Sequence, residues 1–226
     1  MRLDQLFPLV ERLRVEAIGT PEFVLGTRAY VYKEQSAKVV AVLKIIRAAQ
    51  SLSAMKLLCQ SGLFIDFGVT IRCINDCLDA VYFLMEEFPK TSGNVDKFVK
   101  GFFESEMTTD GYRSQTTPAV ETTKIRSARV RYLKGAHDDA THKLLERLHK
   151  TFSGYVHANC AEIMETFGSP ARNFNLAGIP SVEERQKRMD YVELETDAVL
   201  RTASLVAHTL GLNALHQDIA RSSQQP

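Results

Sequence analysis

The sequence predicts an all-α protein, most simply an antiparallel helical bundle, on three observations. Apolar residues recur at helical spacing in segment after segment, Gly, Pro and Ser-Gly breaks separate the segments, and no alternating apolar runs offer a convincing strand pair. The chain has 226 residues, which suits one elaborated helical domain over 1–226.

The elements follow in order. Asp4 to Ala17 carries Leu6, Leu9, Val10, Leu13 and Ala17 at helical intervals, with Pro8 in its early turns and Gly19 after it. This predicts an N-terminal helical extension over 1–20. Pro21 to Cys59, rich in Ala, Val, Leu, Lys and Gln, predicts one long helix or two, ended by Ser61-Gly62 because glycine accepts the left-handed conformation that stops helices. Leu63 to Phe88 is the most apolar stretch and predicts a central buried helix ending before Pro89. Asp96 to Met107 places Phe98, Val99, Phe102 and Phe103 on one side of another. Residues 108–118 are polar and rich in turn formers, which predicts a mobile loop, a candidate lid. Ala119 to Lys134 is helical up to Gly135, and Asp138-Asp139 suits the positive start of a helix running from Asp138 to Phe167. After an irregular stretch, Ser181 and Glu184 have capping-box spacing and open a final helix to about Gln217, leaving 218–226 as a frayed tail.

Composition excludes some classes. Lys plus Arg number 28 against 27 Asp plus Glu, so no overall polyelectrolyte character draws the chain to nucleic acid. Arg72, Asp76, Asp79, Glu86 and Glu87 interrupt the apolar stretch and argue against a membrane span. The first residues alternate charges with Leu, Phe and Val, unlike a signal peptide, so the expected location is cytoplasmic.

Four constellations are able to carry chemistry. Lys150, Ser153 and His157 share a helix face, since two turns return the direction to within about 20°. An imidazole moves a proton, the ammonium stabilises developing charge, and the hydroxyl orients a phosphate oxygen. The bland alternative is a core histidine, with Gly154 and Ala158 allowing close approach. Arg72, Asp76 and Asp79 form a second stripe at spacings of four and three, either as an internal ion pair or as a site. If that stripe faces His157, Asp76 orients the imidazole and Arg72 supplies the cation. Cys73, Cys77, His157 and Cys160 form the third, a Cys₃His set for zinc. Its spacing is not that of a zinc finger, and free cysteines are commonly small core residues; apart from this alternative no cofactor is expected. The fourth is the run Lys124, Arg126, Arg129, Arg131 and Lys134, in which Arg129 and Arg131 are candidates to hold a nucleic-acid backbone, or else form a solvated face.

The segments Ala54-Met55-Lys56-Leu57-Leu58, Gly62-Leu63-Phe64-Ile65-Asp66, Ile71-Arg72 and Asp76, with Ser153-Gly154-Tyr155-Val156-His157-Ala158 far downstream, resemble a group of uncharacterised bacterial all-helical proteins. That group is in turn similar to HEPN domains. The resemblance spans about Ala37 to Leu210. It implies a HEPN-like helical core that often dimerises and, in active members, metal-independent RNA cleavage in which the ribose hydroxyl attacks its own phosphate. The family pattern is an arginine followed four to six residues later by a histidine. Only the histidine transfers, onto His157, because Lys150 and Arg147 lie too early. Two classes of function follow: a ribonuclease or RNA-processing protein acting through His157, with RNA as partner and a homo-oligomer bringing two such helices together, or a non-catalytic binding or scaffold module. The exposure of His157 separates them.

Overall fold

A computed structural model describes residues 2–25, 29–90, 92–104, 106–107, 113–114, 120–168 and 172–224. The architecture is all-α, with nine helices and three small two-stranded hairpins among these residues. No described helix is long and apolar enough to cross a membrane.

Helix α1, Arg2–Ile18, turns Leu3, Leu6, Val10 and Leu13 inward at intervals of three and four. It packs on three other helices and so belongs to the core rather than extending from it. Glu22–Val24 (β1) and Ala29–Val31 (β2) then pair antiparallel, with Phe23 opposite Tyr30 and their rings 5.2 Å apart edge to face. This corrects the helical reading of 21–59 over its first third: Phe23, Val24, Tyr30 and Val31 are β-branched or aromatic and favour a cross-strand pair.

Helix α2, Ala37–Ser61, starts where Ser36 Oγ accepts from the Val39 N–H and stops at Gly62, whose φ of 73° is left-handed. Its buried residues lie all around the helix, the mark of a central element. The tight turn at Gly62 sends Phe64–Met85 (α3) back antiparallel, and this pair forms the heart of the core. Gly62 has a second reason to lack a side chain, because a Cβ there would meet the Ile179 carbonyl oxygen at 2.3 Å. Helix α4, Gly93–Phe103, is capped by Ser92 and closes one flank with Phe98 against Phe83.

Residues Glu106–Met107 (β3) are not helical but pair with Arg113–Ser114 (β4). The remainder of the 108–118 loop lies outside the described residues. Helix α5, Thr122–Lys134, ends on Gly135 at φ 70°. Helix α6, Asp139–Val156, begins at Asp138, whose carboxylate accepts from the Thr141 N–H at 2.9 Å. Both α5 and α6 lie across α3.

Helix α6 ends eleven residues earlier than the expected Phe167. His157 is its C-cap, Ala158 takes φ 50°, and the Asn159 N–H returns to the Gly154 carbonyl at 3.1 Å, closing the backbone as helix stops do. A short helix, Cys160–Met164 (α7), and the hairpin Phe167–Gly168 (β5) with Asn173–Phe174 (β6) follow. Helix α8, Val182–Thr209, is capped by Ser181 as its spacing to Glu184 predicts, and packs on α2 and α3. Gly211, at φ 75°, separates it from α9, Asn213–Gln224. The expected frayed tail is helical through Gln224. Leu215 and Ile219 bury its apolar side, Arg12 pairs with Asp218 at 2.6 Å, and Ser222 Oγ donates to Gln5.

Candidate functional site

Helix α3 carries Arg72, Asn75, Asp76 and Asp79 along one stripe, and α5 answers with Arg126 and Arg129, one turn apart. Asp79 and Arg126 are both buried. Arg129 Nη1 donates to Asp79 Oδ1 and Asn75 Oδ1 at 3.0 Å each, while Arg126 Nε lies 3.7 Å from Asp79 Oδ2. Asn75 extends the network to α8 by donating to Glu195 Oε1 at 3.1 Å. Glu195 is 8% exposed, its Oε2 has no hydrogen-bond partner, and burial raises its carboxyl above the ordinary value. A charged stripe in so apolar a helix is therefore held by counter-charges from a second helix, as buried ions require.

Close contact places α6 beside this network. The Tyr155 ring lies against Gly68, where a Cβ would come within 2.4 Å of the ring's Cγ, and the Tyr155 hydroxyl donates to Glu165 at 2.7 Å. One turn and a half earlier on α6, Arg72 donates to His149 Nε2 while also pairing with Asp76. A guanidinium has no acceptor, so this contact requires Nε2 to be the bare nitrogen and assigns the proton of a neutral ring to Nδ1. Burial, then the charges of Arg72 and Arg126, push the His149 imidazole down to about 4. It is neutral at physiological pH.

Between the start of α5 and the C-terminal half of α6 runs a groove of about 450 Å³. Arg126, His149, Lys150, Ser153 and His157 line it together with Thr122 and Thr123 of the first turn of α5. That turn has no side-chain cap, so the positive pole of α5 and its two threonine hydroxyls border the groove. One carboxylate, Glu146, also lines it and holds the Lys150 ammonium at 2.8 Å. Two cations, two imidazoles, hydroxyls and a helix N-terminus in one cleft provide what a phosphate needs: donors, positive charge and groups able to carry a proton.

The structure thus brings Lys150, Ser153 and His157 to one groove, and His157 is exposed there rather than packed in the core. It does not bring Arg72 and Asp76 to His157. Arg72 is taken by His149, eight residues earlier on α6, because the middle of α6 rather than its end crosses that level of α3. Arg129 is committed to Asp79 and Asn75, and Arg131 to Glu86, with Nη2 2.7 Å from Oε2; neither borders the groove. The zinc set does not converge. Cys73 faces α2, where it accepts from Ser51 Oγ at 3.7 Å, while His157 and Cys160 are exposed beyond the end of α6. No cluster of three or more His, Cys, Asp or Glu able to hold a metal exists among the described residues.

His149 and Arg126 were missed as groove residues. His149, Ser153 and His157 recur every four residues, a spacing visible in the sequence, whereas the inward turn of Arg126 depends on Asp79 lying opposite. The pair Arg131 and His137 also fits the arginine-to-histidine spacing, but Glu86 engages the first and Asp139 the second, at 2.8 Å. Compared with family models, with curated proteins and with solved structures, the chain gives no match.

Proposed function

We propose that the groove between α5 and α6 binds the phosphodiester backbone of RNA and supports metal-independent cleavage. The observation that carries this reading is the convergence of Arg126, His149, Lys150, Ser153 and His157 on one groove of about 450 Å³. In the proposed reaction His157 accepts the proton of a ribose 2′-hydroxyl as that oxygen bonds to phosphorus. The P–O5′ bond breaks, a solvent proton reaches the leaving oxygen, and the products are a 2′,3′-cyclic phosphate and a free 5′-hydroxyl. Lys150 stabilises the charge that builds on the phosphoryl oxygens, Arg126 adds positive field from its buried position behind the groove, and Ser153 donates to one of those oxygens. His149, neutral and fixed by Arg72, keeps its Nδ1–H as a further donor.

A non-catalytic RNA-binding module is the second reading, favoured by Glu146, which already balances Lys150 inside the groove. In either reading the chain acts as a homo-oligomer, for which the exposed Tyr132 and Leu133 of α5 and Leu144 and Leu148 of α6 supply apolar surface; light scattering of the purified protein checks this.

A labelled single-stranded RNA, incubated in EDTA with wild type, His157→Ala and Lys150→Ala, tests both. Cleavage by wild type and its loss in His157→Ala with binding retained supports the enzyme. Binding without cleavage selects the module. In the salt dependence of binding, Lys150→Ala lowers the slope by about one unit. No binding by wild type at low salt rejects both readings.

A further inference from the structure

Behind the groove, sharing Arg126 and His149 with it, lies a small, partly open cavity of about 20 Å³, room for one water-sized species. Its polar walls are Arg72, Arg126, Arg129, Asn75, Asp79 and His149, and Leu145, Leu148 and Phe152 of α6 cover it with apolar surface. Two of the arginines leave buried N–H groups without a hydrogen-bond partner, Arg126 at Nη2 and Arg129 at Nε. Arg126 is 4% exposed, so bulk water does not satisfy it.

Charge does not balance inside. Three guanidinium groups line the space against one carboxylate, Asp79. Asp76 offsets Arg72 from the solvent side, where its side chain is 47% exposed, which leaves one cation in excess. His149 adds no negative charge, and Glu195 stands beyond Asn75 with burial favouring its neutral form. A buried guanidinium in excess, with orphaned donors, is costly unless an acceptor carrying negative charge sits there. A polyatomic anion such as phosphate exceeds the space, whereas a monatomic halide, though larger than a water molecule, comes nearer to fitting it.

We propose that this cavity is a structural halide site, with chloride held by Arg126 and Arg129 under the apolar cover of α6. The ion joins α3, α5 and α6 where three guanidinium groups meet.

Thermal unfolding with chloride, bromide or gluconate as the sole anion at equal ionic strength tests the site. Expected is a saturable rise in Tm with chloride and bromide and none with gluconate, as ligand linkage to the folded state requires. Arg126→Gln removes the halide-dependent part of the rise. Should that variant not fold, crystals of the wild-type chain grown in bromide decide the matter by anomalous scattering. A bromide peak between Arg126 and Arg129 supports the site. A water without anomalous signal there, or the same Tm in all three anions, overturns it.

Discussion

Arg72 of α3 donates its guanidinium hydrogen to the Nε2 of His149 on α6, so a fixed cation sits against an imidazole that must stay neutral for the contact to exist. The contact ties the central helix to the helix that forms one wall of the groove. It also makes that wall sensitive to acid.

The sign of the acid effect follows from the His149 value, lowered from 6.5 to about 4 by burial and by Arg72 and Arg126. Between those limits the unfolded chain binds a proton that the folded chain refuses. Stability from this residue is therefore present above pH 6.5, falls as the pH drops toward 4, and changes no further below that. Urea unfolding of wild type and His149→Gln over this range measures it: the difference between the two curves should vary with pH only inside the window. The His149 ring proton, followed by NMR, should titrate near pH 4.

Asp79 is the shared counter-charge of two arginines, and Asp76 is a half-exposed partner of one. Asp79→Asn should cost about 3–5 kcal/mol because it strands buried guanidinium groups. Asp76→Asn should cost at most about 1 kcal/mol, the usual range for a solvent-screened pair. Denaturant titration of the two variants in parallel measures both costs, and equal values would refute the difference in burial as their cause.

Gly68 lies under the Tyr155 ring, where a methyl group would overlap the ring's Cγ and both Cδ atoms. Those atoms lie near the base of the side chain and move only if α6 moves. Gly68→Ala should lose roughly 1–3 kcal/mol, the range for overpacking, and, by shifting the groove wall, weaken the RNA binding proposed for it. Unchanged stability and binding would show that α6 docks more loosely than its contacts indicate.

Glu195 presents a carboxylate oxygen that no donor meets, and burial raises its pKa. A group whose folded value is raised gives stability at low pH that is lost as the pH climbs through that value. Glu195→Gln keeps an oxygen for Asn75 and removes the buried charge, so it should be more stable than wild type at high pH, where wild-type Glu195 is ionised. Its advantage over wild type should shrink on acidification, as chemical denaturation at several pH values will show.

Much of the helical framework is legible in the sequence because its signals are local. Ser61-Gly62, Gly135, Asp138 and Ser181 mark helix ends through backbone conformation and capping, and each does so in the structure. The strand pair at Phe23 and Tyr30 is less legible, since two three-residue strands give too short an alternation to outweigh the helical run after them. The end of α6 was hidden for a different reason. Ala158 is a helix former whose left-handed conformation is imposed by the turn into α7. The stripe of Lys150, Ser153 and His157 and the internal pair of Arg72 with Asp76 could be read from spacing alone, but the contact of Arg72 with His149 could not. That depends on where α6 crosses α3, which the small residue Gly68 permits and no periodicity records.

The ion pair of Arg12 with Asp218 joins positions 206 residues apart in the chain. During synthesis α1 therefore leaves the ribosome long before α9 exists to cover it, with Leu3, Leu6, Val10 and Leu13 still seeking a surface. Helix α2 offers the first shelter, and only the arrival of α8 and α9 completes it. A nascent chain halted before α8 would thus expose the apolar face of α1, a natural landing place for a chaperone.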